Sequence, residues 1–262
     1  MSGATRPNNK HLMVCSGRAY PELADEVAQE LGVELVPSRQ VTYANSEIYV
    51  QFQESVRGCD AFVIQSHAAP VNEALMEQLI MVDALKRASA KRITVVSPFY
   101  PYARQDKKHL GREPISARLV ADLYRAAGAD RIMSVDLHAA QIQGFFDGPV
   151  DHLWALPVLS DYVREKYQGE EMAVVSPDAG RVRLADMWTD KLGCQLAIIH
   201  KRRDSNKANE VTTHEVVGDV KGKTCLLVDD MIDSGGTICN AAEALMNDGA
   251  AGVIIAATHA IL

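Results

Sequence analysis

The sequence predicts an α/β fold built as two similar domains, each a mostly parallel sheet flanked by helices. Three observations point there. Apolar runs of strand length alternate with longer amphipathic stretches along nearly the whole chain, the order expected when helices cover a parallel sheet. The polar, small-residue loops follow strands, where such sheets bind their ligands. The chain also echoes itself: residues 94–104 (TVVSPFYPYAR) resemble residues 173–183 (AVVSPDAGRVR), each a strand, then Ser-Pro, then a polar loop.

Residues 12–15 read as a strand. Residues 21–31 read as a helix with Pro21 at its start and Gly32 at its end, the usual proline–glycine asymmetry of helix termini. Residues 47–52 alternate in polarity and read as a half-exposed strand, and residues 61–64 as a buried one. A long amphipathic helix follows over 72–88, then a strand over 92–96 and a loop over 98–113. The next helix starts at Pro114 and ends near Gly128. Residues 132–135 form a strand that runs into Asp136-Leu137-His138.

The second half has the same rhythm: helix 156–167, strand 173–175, helix 182–192, strand 196–199, polar loop 201–209, strand 211–217. Residues 225–228 read as a buried strand ending at an acidic corner, Asp229 and Asp230. Asp233-Ser234-Gly235-Gly236-Thr237 then leads into a helix with Ile238, Ala241, Ala242 and Leu245 on one face, and a last strand spans 253–257. The domains divide as 1–155 and 156–262.

A net charge of −7 argues against a general nucleic-acid-binding surface, so any anion site must be a local basic cluster. The five cysteines are scattered and odd in number, which suits reduced thiols in a cytoplasmic protein and no zinc spacing. The first ten residues are polar and read as loose, without the apolar centre of a signal peptide. No apolar run is long enough to cross a membrane.

Several stretches carry chemistry. The order strand, acids, glycines, helix from residue 225 onward suits a sugar phosphate. Helix N–H groups and the Ser234 and Thr237 hydroxyls would meet phosphate, while Asp229 and Asp230 accept from sugar hydroxyls or reach a metal through water. An ordinary turn with a helix cap has the same pattern. No lysine follows the glycines, so this is not a Walker A loop. In Tyr102-Ala103-Arg104-Gln105-Asp106-Lys107-Lys108 an aromatic ring and three cations share one loop. That loop can stack a base and hold a polyphosphate, or simply be solvated. Strand alternation would aim Asp136 and His138 the same way, for a metal, a proton or a structural bond. Ser176-Pro177-Asp178-Ala179-Gly180-Arg181 is a second small-residue turn, open to metal and diphosphate or only a cap. His200-Lys201-Arg202-Arg203 makes a local positive field at a strand end, or serves solubility. The polar residues 204–209 after it suit a lid.

Together these motifs resemble the ribose-phosphate diphosphokinases (phosphoribosyl pyrophosphate synthetases). The resemblance runs from about residue 12 to residue 262 and rests on NSEIYVQFQESVRGCD, YARQDKK, PISARLVADL, DLHAAQIQGFFDGPVD, VVSPDAG, the Lys201 cluster and VDDMIDSGGT. It implies two phosphoribosyltransferase-like domains. It also implies transfer of the diphosphoryl group of MgATP to the C1 hydroxyl of ribose 5-phosphate, giving AMP and phosphoribosyl pyrophosphate.

By the same resemblance, Asp233, Ser234, Gly235, Gly236 and Thr237 would hold the 5-phosphate, and Asp229 and Asp230 the ribose hydroxyls. Tyr43, Asn45 and Glu47 would face adenine across a subunit boundary, with Arg104 and Gln105 also on ATP. His138 and Asp178 would serve Mg2+. Lys201 and Arg203 would stabilise the transition state from a mobile loop, and Arg57 matches a regulatory anion position. A homo-oligomer of the hexamer-of-dimers type is implied, with no nucleic acid or membrane as partner.

The sequence departs from the family pattern at Tyr43, Ser46, Ser234 and Arg181, the last standing where many members have a second glycine. It is also expected to be short at the C-terminus, with its last strand an open sheet edge. Two other readings follow: a non-catalytic or regulatory relative that assembles with full-length subunits, and a phosphoribosyltransferase, which shares the sugar-phosphate loop but leaves YARQDKK unexplained.

Overall fold

The structure, a computed structural model, describes residues 12–203 and 212–261, with the side chains of 201–203 and 212–214 left out. The first ten residues and the lid expected over 204–209 lie outside the described residues. The chain divides into two compact units, Met1–Leu153 and Trp154–Leu262.

The first unit runs β1 (Leu12–Ser16), α1 (Pro21–Leu31), β2 (Ser38–Thr42), β3 (Ile48–Phe52), β4 (Asp60–Ile64), α2 (Val71–Arg87), β5 (Arg92–Val96), α3 (Ser116–Ala127), β6 (Arg131–Val135) and β7 (Val150–Leu153). Five strands form one parallel sheet in the order β1-β4-β5-β6-β7. β2 and β3 form a separate antiparallel ribbon with Thr42 opposite Ile48. Val14 and Ile64 pack against Ala24 of α1 on one face. Cys15, Val63 and Val95 pack with Leu79, Val82, Leu85, Val120 and Tyr124 of α2 and α3 on the other. Burial on both faces explains why these strands read as continuous apolar runs. Gly32 closes α1 at φ 65° and its N–H returns to Ala28 and Gln29. α3 begins at Ser116, two residues after the expected Pro114.

Under the carboxyl ends of β4 and β5 lies a buried polar network. His67 is fully buried, with Nδ1 2.9 Å from Ser97 Oγ and Nε2 3.4 Å from Tyr124 Oη. Tyr124 donates to Gln78 at 2.8 Å, and Gln78 donates to the carbonyls of Val63 and Val96. Burial pushes His67 down to about 4 from its ordinary 6.5. The folded chain therefore resists a proton that the unfolded chain accepts. Stability is unaffected above pH 6.5 and falls as pH drops from 6.5 toward 4, by about 3 kcal/mol. Chemical denaturation at a series of pH values should show this loss, and His67→Gln should flatten it. An equally steep profile in the variant would assign the loss to other groups.

The second unit runs α4 (Leu156–Lys166), β8 (Met172–Ser176), α5 (Val182–Leu192), β9 (Gln195–Arg203), β10 (Thr212–Val217), β11 (Thr224–Ile232), α6 (Gly236–Asn247) and β12 (Gly252–Ala260). Its sheet has the order β10-β9-β8-β11-β12, parallel except for β10. Consecutive strand residues serve opposite faces: Val175 and Leu227 pack on α6, while Val174, Leu226 and Val228 pack with Trp188 and Leu156 of α5 and α4. The connection from β8 goes one way to β9 and the chain then crosses back to β11. The gap between β8 and β11 is thus the switch point where open sheets of this kind bind ligands.

Two strands run further than expected. β11 does not stop before the acids: it stays paired with β12 to Ile232, opposite Ala260, although its pairing with β8 ends at Leu227. Asp229 and Asp230 are therefore strand residues rather than a corner. β9 likewise continues through Lys201 to Arg203, because β10 pairs with it there, Lys201 opposite His214 and Arg203 opposite Thr212. The two cations stand on a strand and not on a loop.

Candidate functional site

In the second unit, Asp178, Arg181 and the glycine loop follow neighbouring parallel strands, and the two aspartates lie within β11 past the end of its pairing with β8. Ser176 closes β8 by donating its hydroxyl to the Asp178 carbonyl at 2.6 Å, and Asp178 Oδ1 accepts from the Gly180 N–H at 2.8 Å. A short 3-10 turn, Ala179–Arg181, then delivers Arg181 back toward β11. Its Nε lies 3.1 Å from Asp229 Oδ1 and its Nη2 2.9 Å from Asp230 Oδ1. Asp229 also accepts from the N–H of Asp230 at 2.9 Å. Burial, and then the hydrogen bond and charge of Asp230, hold the Asp229 carboxyl well above the usual carboxylate range, while Arg181 opposes them.

After β11, Asp233, Ser234, Gly236 and Thr237 are exposed. Gly235 sits at φ 74°, and α6 starts from it with no side-chain cap on its first N–H groups. Uncapped N–H groups, partial positive charge and two hydroxyls make a receptor for an anion. A side chain added at Gly235 or Gly236 would meet nothing within 4 Å, so the glycines leave open room over the loop.

In the first unit, Tyr43 to Glu47 form the tip of the β2–β3 ribbon. The turn is closed by Tyr43 N–H to Glu47 O and Ser46 N–H to Tyr43 O, both 2.8 Å, and by Glu47 N–H to Asn45 Oδ1 at 3.2 Å. All five residues are exposed, and Ser46 holds φ 71°, a conformation glycine reaches with less strain. The ribbon base is tied to β1: Gln40 donates to the Ser16 carbonyl at 2.7 Å, and Arg18 donates to Thr42 Oγ1 at 3.0 Å. Arg18 also pairs with buried Glu77 at 2.5 Å. Arg18→Ala should cost about 1–3 kcal/mol, because buried Glu77 keeps the Gln65 amide and the residue-18 N–H on Oε1 but loses the donor to Oε2. Chemical denaturation should read this loss, and an unchanged midpoint would mean that Glu77 finds another donor.

Arg104 and Gln105 are exposed in the turn after β5, and Gln105 Oε1 accepts from the Ser116 hydroxyl at 2.5 Å. The Tyr102 ring, expected as a stacking face, packs on the core instead and its hydroxyl donates to Asn72. Asp136 takes φ 41°, so extended alternation ends there and does not align Asp136 with His138. His138 is half-buried, and Arg57 is exposed beside a cavity of about 410 Å³ lined by Val50, Phe52 and Glu54. The side chains of Lys201 and Arg203 lie outside the described residues.

Sequence reasoning missed Arg18, and it named Arg181 without seeing its partners. Each is a cation placed shortly after a strand end, which was the available signal. No group of three metal-binding side chains gathers among the described residues, and no helix among them is long and apolar enough to cross a membrane.

Residues 12–128 match the family described as the N-terminal domain of ribose phosphate pyrophosphokinase, and residues 158–260 match the phosphoribosyl transferase domain. The ribose-phosphate pyrophosphokinase of Streptomyces coelicolor is 66% identical over 262 residues, covering 100% of this chain and 81% of the relative. That of Mycobacterium tuberculosis is 63% identical over 263 residues, with the same coverage. The crystal structure of phosphoribosylpyrophosphate synthetase from Mycobacterium smegmatis superposes with a TM-score of 0.92 at 64% identity, covering 97% of this chain and 82% of that one.

Proposed function

This chain belongs to the ribose-phosphate pyrophosphokinase family, and from that premise we propose how its own residues divide the family's reaction. The chain transfers the diphosphoryl group of ATP to the C1 hydroxyl of ribose 5-phosphate, giving AMP and phosphoribosyl pyrophosphate. The observation that carries the residue assignment is the uncapped start of α6 behind Gly235, beside the paired carboxylates of β11.

Ser234, Gly235, Gly236 and Thr237, with Asp233 leading in, hold the 5-phosphate through N–H and hydroxyl donors. Asp229 and Asp230 accept from the ribose hydroxyls and fix the orientation of C1. Tyr43, Asn45 and Glu47 receive adenine, and Arg104 and Gln105 the rest of ATP. Lys201 and Arg203 meet the charge that builds on phosphate oxygens as the C1 hydroxyl attacks the β-phosphorus in line and AMP leaves. Such transfers depend on positioning and charge stabilisation rather than covalent help.

Mg2+ would neutralise the phosphates. It takes one or two protein oxygens and otherwise phosphate and water. Asp178 fits that demand, with Oδ1 oriented by the Gly180 N–H; His138, which offers nitrogen and no oxygen, would serve magnesium through a water. Arg57 serves a regulatory anion, and the active form is a cytoplasmic homo-oligomer. The test is formation of AMP and phosphoribosyl pyrophosphate from MgATP and ribose 5-phosphate, with particle mass read by light scattering on the same sample. A folded chain without turnover, alone or with a full-length relative, would favour the regulatory reading.

A further inference from the structure

The geometry points to Arg181 as a positioning residue of the sugar site: one guanidinium locks Asp229 and Asp230 into a single acceptor surface for the ribose hydroxyls. This rests on the reading of those two carboxylates given above and adds the group that makes them work together.

Side chains of consecutive strand residues normally point to opposite faces. Asp229 and Asp230 are consecutive in β11, yet both carboxylates reach the same guanidinium, at 3.1 and 2.9 Å. Asp229 does so while its Oδ1 accepts the N–H of Asp230. The three side chains are only 15%, 5% and 18% exposed for Asp229, Asp230 and Arg181, so their arrangement is fixed by packing as well as by charge. Arg181 is itself held from behind. It ends the turn whose start is pinned by Ser176 and Asp178, and it opens α5, whose Ala185 and Trp188 are buried against the sheet.

The arrangement has two effects. Two adjacent carboxylates repel each other when both are ionised, and Arg181 offsets that repulsion, so both acceptors remain available. The pair also adjoins the loop assigned to a phosphate dianion. Without the guanidinium the pair would hold a proton more tightly, and one of the two acceptors would be lost to the ribose hydroxyls. A planar fork reaches two carboxylates at once, which a lysine ammonium does with less directional control.

The test compares steady-state kinetics of Arg181→Ala, Arg181→Lys, Asp229→Asn, Asp230→Asn and the double variant Arg181→Ala/Asp229→Asn. Arg181→Ala should raise the KM for ribose 5-phosphate by about ten- to a hundredfold with the KM for ATP unchanged. Arg181→Lys should recover part of that loss. The double variant should be scarcely worse than the worse single variant, because Arg181 acts through the carboxylate. Thermal unfolding of each variant identifies any that misfold, in which case Arg181→Lys alone still reads the split between the two KM values.

If Arg181→Ala and Asp229→Asn multiply independently, Arg181 touches substrate directly and the inference falls. It also falls if neither Arg181 variant changes the KM for ribose 5-phosphate while the aspartate variants do. If Asp229→Asn and Asp230→Asn leave that KM unchanged, the sugar-hydroxyl assignment itself is wrong, whatever Arg181 does.

Discussion

Lys201→Ala is expected to lower turnover by about 10²–10³-fold while the KM values for ATP and ribose 5-phosphate stay close to those of the parent protein. A charge that meets phosphate oxygens only as the bond to AMP breaks contributes to the transition state and little to the ground state. The last residue of β9 paired with β8 is Ile198, and β9 continues to Arg203 beside β10. Five further residues of strand span about 16 Å, so Lys201 and Arg203 stand on a two-stranded extension past the end of β8. Single-turnover measurements would separate chemistry from release. Weakened substrate binding with unimpaired turnover would remove Lys201 from the transition state.

Gly235→Val should raise the KM for ribose 5-phosphate by about ten- to a hundredfold, the equivalent of roughly 1–3 kcal/mol of backbone strain. Space is not the obstacle, since nothing lies within 4 Å of the new Cβ. The obstacle is φ 74° at the residue from which α6 starts, a conformation that a β-branched residue resists. To escape it the chain must turn the Gly235–Gly236 peptide, and the N–H groups assigned to phosphate turn with it. Gly235→Asn, which tolerates this region better, should cost much less. Equal losses for Val and Asn would mean that the side chain obstructs the ligand and that the backbone angle is not decisive.

Elements buried on both faces were legible from sequence because burial leaves an unbroken apolar run. β1, β4, β5, β6 and β8 fall within a residue or two of their expected places, and α1 and α5 match end to end. β2 was not legible: SRQVT is polar, and its strand state depends on β3 across the ribbon. β7, with the sequence VDHL, was hidden for the same reason. The ends of β9 and β11 were misread because charged residues look like loop, whereas β10 and β12 hold them in the ladder. At the sites, the glycine loop was legible as a local motif, whereas the residues of the ribbon tip came only from the family resemblance. The grip of Arg181 on β11 and of Arg18 on α2 was not legible, since each joins residues that only the sheet order brings together. The buried His67 network was equally invisible, because a histidine after an apolar run gives no hint of burial.

The turn at the tip of the β2–β3 ribbon has a thermodynamic consequence. Its chain is already folded around three hydrogen bonds, with Ser46 held at φ 71°. A ligand arriving at Tyr43, Asn45 and Glu47, the residues proposed for adenine, would therefore freeze little backbone motion, and most of the contact energy would survive as affinity. Replacing Ser46 with glycine would relax the angle but widen the range of shapes the free turn explores. Calorimetry should then record nucleotide binding with a similar enthalpy and a larger entropic penalty, from a change that removes no contact with the ligand.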